Sequence, residues 1–163
     1  MSATAHRWPP LPYDEWRETL GALHLWTQIV GKVRVAQTPW LNHSWQAPLY
    51  VTARGLSTGV MAAGGHALDL EFDFVAEVLR LRTDAADLAL PLAPMSVAAF
   101  HDQLMGGLEA LGVPVTIHGA PNELPQAIPF AEDHAPRAYD PAQARRFFGA
   151  FSQADRVLRL FRT

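Results

Sequence analysis

The chain carries seven histidines, 16 carboxylates, 13 cationic side chains and no cysteine. Without a thiol there is no disulfide, no thiolate metal site and no cysteine nucleophile, so chemistry must rest on imidazole, carboxylate, hydroxyl or guanidinium groups. Gly55-Leu56-Ser57-Thr58-Gly59 fits the G-x-S-x-G spacing of a nucleophile elbow. An elbow must open into a helix packed on a parallel sheet. Here Gly64-Gly65 and another alternating run follow within a few residues, so the sequence predicts a hairpin or bulge turn. Asp69, Glu71 and Asp73 recur at a spacing of two with Arg80 and Arg82 beyond them, the pattern of solvated cross-strand ion pairs rather than of a catalytic acid cluster. The histidines never fall at H-x-H or H-x-x-x-H spacing, and no metal site is expected. His24 and His43 would be the ligands of one assembled from distant segments. No glycine-rich phosphate loop and no cofactor motif is present. Between Thr38 and Trp45, two tryptophans flank Asn42-His43, and such a connection either lines a site or caps one end of the core.

The elements that must position these groups follow from periodicity. Pro9, Pro10 and Pro12 make an extended arm, after which Asp14 is the expected N-cap of a helix that must stop near Gln37, because Thr38 precedes Pro39. A step of 100° per residue gathers Leu23, Leu25, Trp26, Ile29, Val30 and Val33 on one arc. His24, Thr27, Gln28, Gly31, Lys32 and Arg34 fall on the other, a cationic stripe without an acid. From Pro48 to Leu92 the period is two, which predicts an antiparallel meander with one wet face. A turn centred on Val75-Ala76 sets Glu71 opposite Arg80, Asp69 opposite Arg82, Phe72 opposite Leu79 and Leu70 opposite Leu81. Ser96 caps a second helix that Gly112 and Pro114 end, and Val113 to His118 reads as a strand. Asp140-Pro141-Ala142-Gln143 supplies an N-cap, a proline at the first helical position and a residue able to complete a capping box. The last helix carries Phe147, Phe148, Phe151, Leu158 and Phe161 on its expected buried side. The fold class is α+β: a meander of five to six strands against three helices, in the order α-β-β-β-β-β-α-β-α.

Length and composition frame that reading. The 163 residues suit one domain, 1–163, and 49% apolar against 18% charged residues is the composition of an ordered globular chain. The net charge of −3 gives no general attraction for nucleic acid or anionic lipid. No apolar run reaches the length needed to span a bilayer, and Met1 to Pro12 lacks the pattern of a signal peptide, so the expected location is the cytoplasm. Lys32 is the sole lysine, a bias of GC-rich bacterial genomes.

Trp8-Pro9-Pro10-Leu11-Pro12, the stretch from His24 to Arg34, Thr38 to His43, Tyr50 to Leu56 and Gln153 to Leu158 resemble a bacterial family catalogued as a domain of unknown function. The likeness runs over nearly the whole chain and implies no activity and no catalytic residues. Members are longer, continuing past the equivalent of Leu160 into a second half with its own aromatic and histidine-rich motifs, so this chain matches their first half. The motifs leave a shortlist for a ligand site: His24, Gln28, Lys32 and Arg34 from the first helix, Trp40, Asn42 and His43 from the loop, and Tyr50 and Arg54 from the first strand. Their guanidinium and imidazole groups suit an anionic small molecule. The competing expectation, from another class, is an interaction module with an aromatic docking surface and no active site. Self-association as a homodimer is expected through the wide apolar arcs of the first and last helices.

Overall fold

The computed structural model describes residues 8–162; residues 1–7 of the amino-terminal arm and Thr163 lie outside the described residues. The first helix, α1, spans Tyr13–Gln37 and is entered through Pro12, whose extended backbone forms the cap without a side-chain hydrogen bond. Asp14 is therefore not the N-cap. It sits with Glu15 in the first turn, where both carboxylates favour the positive end of the helix dipole. The helix stops at Thr38, before Pro39, as the steric restriction on a residue preceding proline requires. All six residues of the apolar arc are buried.

Six strands follow: β1 (Tyr50–Val51), β2 (Gly55–Ser57), β3 (Met61–Ala63), β4 (His66–Asp73), β5 (Val78–Thr83) and β6 (Asp87–Pro91). They form one antiparallel sheet in the order β1-β2-β4-β5-β6, with β3 also paired to β4. Strands β2 and β3 are one edge broken in the middle. Gly55 to Ser57 pairs with the end of β4 and Met61 to Ala63 with its beginning. At the break, Thr58 and Leu70 exchange hydrogen bonds through the Thr58 amide (2.9 Å) and hydroxyl (3.0 Å). Gly59 lies at φ +65°, a conformation glycine adopts without strain. The G-x-S-x-G motif is thus a bulge in a strand, and Ser57 donates to Asp69 rather than to any histidine.

The β4–β5 register is the one the alternation requires, with Glu71 opposite Arg80 and Asp69 opposite Arg82. Leu68, Leu70, Phe72, Phe74, Leu79 and Leu81 point into the core. The opposite face is not simply wet, as the alternation suggested. Glu71 and Asp73 are buried beneath arginines that reach diagonally: Arg80 bonds Asp73 at 3.0 Å, and Arg82 spans Asp69 and Glu71.

The helix α2, Val97–Ala110, starts where expected, with the Ser96 hydroxyl accepting from the Ala99 amide at 3.1 Å. Ser96→Ala removes that partner and is expected to lower stability by about 1 kcal/mol, roughly 2–4 °C in Tm for a chain of this size, which calorimetry would read. Gly112, at φ +75°, turns the chain out of α2, and the Val113 amide closes on the Leu108 carbonyl. The strand expected over Val113 to His118 is absent: the segment pairs with no strand, so among the described residues all six strands precede α2. Val113 is buried and Val115 and Ile117 pack on the core from one side, so the alternation records one-sided burial rather than a ladder. The last helix, α3, spans Pro141–Phe161. Asp140 caps it by accepting from the Ala142 amide (2.8 Å), but Gln143 closes no capping box and is buried instead. Phe147 and Phe148 meet Trp16 and Phe74 at 5.3 and 5.7 Å between ring centres. Contrary to expectation, the buried stripe of α3 stops there: Phe151, Leu158 and Phe161 are exposed. Among the described residues, no helix is long and apolar enough to cross a membrane.

Candidate functional site

His24, Thr27, Gln28, Gly31 and Lys32 recur at helical spacing and form one stripe along α1. His24 is exposed, whereas Thr27, Gln28, Gly31 and Lys32 are half-buried, because the stripe forms a wall of a cleft of about 740 Å³. Leu49 and Leu56 from the sheet side, Phe74 at the end of β4, and Phe147 and Phe151 from α3 make the apolar remainder, together with Trp16, Leu20 and Leu23 of α1. Thr116, Ile117, His118, Asn122 and Glu123 close it from the connection between α2 and α3. The volume is that of a pocket for a small molecule.

One amide holds that connection in place. The Gln28 side chain donates to the Asn122 carbonyl at 3.1 Å and accepts from the Asn122 amide at 2.8 Å. The second bond fixes which end of the Gln28 amide is oxygen, so its nitrogen, 3.1 Å from His24 Nε2, must donate to that ring nitrogen. Lys32 Nζ donates to Asn122 Oδ1 at 3.2 Å, which leaves two of its three N–H groups for other acceptors. No carboxylate pairs with Lys32 among the described residues, and burial draws its ammonium below the usual lysine value. Among the described residues that line the cleft, Lys32 is the one full cation and the exposed Glu123 the one acid.

The shortlist therefore divides. His24, Gln28 and Lys32 share the cleft. Arg34 lies on another side of α1, only 7% exposed, with its guanidinium 5.0 Å from the Tyr50 ring and 3.3 Å from the Tyr50 hydroxyl. Trp40, Asn42 and His43 stand on an exposed loop that forms no part of the cleft, with Trp40 69% exposed and His43 at φ +60°. Arg54 bonds the buried Asp73 at 2.7 Å. Sequence adjacency did not make these segments converge, because α1 turns its two polar flanks to different neighbours. The groups missed by the shortlist, above all Asn122, come from positions about 90 residues downstream, where no local spacing marks them. Among the described residues, no group of three or more histidines or carboxylates is placed to hold a metal ion.

No curated protein and no solved structure matches the chain. A family model described as a family of unknown function, DUF5996, matches residues 8–163, the arm, α1, sheet and closing helices alike. The chain belongs to that family.

Proposed function

We propose that this chain is a small-molecule binding domain whose ligand is an amphipathic anion. An aliphatic or aromatic body lies against Trp16, Leu20, Phe74 and Phe147, and a carboxylate or similar head meets Lys32. The observation that carries this reading is an open cleft of about 740 Å³, largely apolar, whose single ammonium is paired with no carboxylate among the described residues. Desolvation disfavours that cation, and an incoming anion supplies the missing partner through a charge-assisted hydrogen bond. Asn122 and Gln28 orient Lys32 and the wall beside it without competing for its charge.

Calorimetric titration with octanoate and naphthaleneacetate, and with their neutral amides, tests the reading. The carboxylates are expected to bind saturably, and Lys32→Met to weaken them by 1.5–3 kcal/mol, about tenfold or more, while leaving the amides unchanged. No saturable binding, or equal loss for acid and amide, would overturn it. The exposed Trp40, Leu41 and Trp45 favour the second reading, an interaction module, and that reading predicts no saturable small-molecule binding at all.

A further inference from the structure

Along α3, Phe147, Phe151, Ala154, Leu158 and Phe161 recur at alternating steps of four and three residues. That spacing is the a/d seam of a helix built to pack on another helix. The fold uses only its start: Phe147 stacks on Trp16, whereas Leu158 is 63% and Phe161 88% exposed. The far side of the same stretch is polar, with Ser152, Gln153, Arg156 and Arg159.

We propose that this seam pairs with α3 of a second copy of the chain, antiparallel and about a two-fold axis. Three observations select a second copy as the occupant. First, an antiparallel register that sets Phe151 against Phe161 also sets Ala154 against Leu158, so each small residue faces a large one and both copies supply the same surface, as a two-fold contact requires. Second, the flanking e positions hold Asp155, which also accepts from Arg159 of its own helix at 2.7 Å, and Arg162, of opposite charge; e faces e in an antiparallel pair, so the helix is its own electrostatic complement. The g positions, Ala150 and Val157, are apolar and widen the seam instead of adding a charge that would favour a parallel pair. Third, the exposed parts of Phe151, Val157, Leu158 and Phe161 amount to roughly 400 Å² per copy, about half of what a standard interface needs, and Phe151 also lines the cleft, so the partner helix runs along the cleft's rim and finds further surface there. The contact is therefore a modest, concentration-dependent one. It does not rest on the ligand reading, because it is measured without ligand.

Light scattering over a dilution series is the test. The expected result is a mass near twice 17.9 kDa at high micromolar concentration, falling toward 17.9 kDa on dilution. Leu158→Asp, at an exposed position that leaves the fold and its Tm intact, should hold the mass at the monomer value. Asp155→Arg alone should weaken the dimer at least several-fold, and Asp155→Arg with Arg162→Asp should restore it. A mass of 17.9 kDa at every concentration, a dimer indifferent to Leu158→Asp, or a charge swap that fails to rescue overturns the proposal.

Discussion

Gly55→Ala is expected to be among the most damaging single-methyl additions this chain can suffer, at about 3 kcal/mol or more. A Cβ at this position would lie 1.7 Å from the Phe72 carbonyl oxygen and 2.9 Å from its carbon. These are backbone atoms of the central strand β4, so no side-chain rotation relieves the clash. Strand β2 would have to withdraw from β4 along the pairs Gly55–Asp73 and Leu56–Phe72. The same shift would disturb the turn before it, where the Gly55 amide bonds the Thr52 hydroxyl at 2.9 Å and the Thr52 amide bonds the Gly55 carbonyl at 2.9 Å. Denaturant unfolding measures the effect. Gly65→Ala is the control: a Cβ there meets nothing within 4 Å, so its cost is limited to about 1 kcal/mol from a positive φ of 86°. Equal losses at the two positions would show that β2 yields to the added methyl at little cost and that its close approach to β4 does not make Gly55 necessary.

Gly55 also illustrates what was legible in the sequence. The motif containing it fits the spacing of a catalytic elbow, and only the alternating run that follows within a few residues points to a hairpin or bulge turn; Thr58 and Gly59 build the bulge. Where local pattern and tertiary demand coincide, sequence sufficed. The end of α1 before Pro39, the Ser96 and Asp140 caps and the β4–β5 register are all set within a few residues of the groups concerned, whereas α1 starts at Tyr13, ahead of the expected Asp14 cap. Where a pattern reports burial without naming the partner, it failed. Val113, Val115 and Ile117 alternate because one side packs on the core, although no strand lies alongside, and α3 is apolar past the point where the fold covers it.

The cleft was half legible for the same reason. The polar stripe of α1 is local, so His24, Gln28 and Lys32 could be read off one helix. The facing wall of the cleft is contributed by Asn122, Phe147 and Phe151, which no periodicity connects to α1. Arg34 belongs to the stripe by residue type, yet its position turns it toward Tyr50 and the bulge. Charge alone does not tell which neighbour a helix flank will meet.

The acidic side of β4 yields the other large effect, and one that depends on pH. Asp73 has no exposed side-chain surface, and burial by itself would push its carboxyl up. The hydrogen bonds from Arg54, the Ala76 amide and Arg80 outweigh that and hold it at about 2, against an ordinary 3.8. The unfolded chain therefore binds more protons than the folded one between these two values. Stability supplied by the carboxylate is present above pH 4 and is lost as pH falls toward 2. Because Arg54 and Arg80 remain partly solvated, that pH-dependent part is about 1–2 kcal/mol rather than the full value of the shift. Asp73→Ala costs more, about 3 kcal/mol at neutral pH, since it also removes the acceptor for the Val75 and Ala76 amides that shapes the β4–β5 turn. Asp73→Asn keeps an acceptor for those amides, but its NH2 then faces the Arg54 and Arg80 donors, so it forfeits the charge together with both arginine bonds. Urea unfolding of the wild type and Asp73→Asn at pH 6, 4 and 2.5 should show a gap that narrows as pH falls, with the variant's own acid sensitivity reduced. A gap constant with pH would mean that Asp73 acts through its hydrogen-bonding shape alone and that the arginines above it contribute no net attraction.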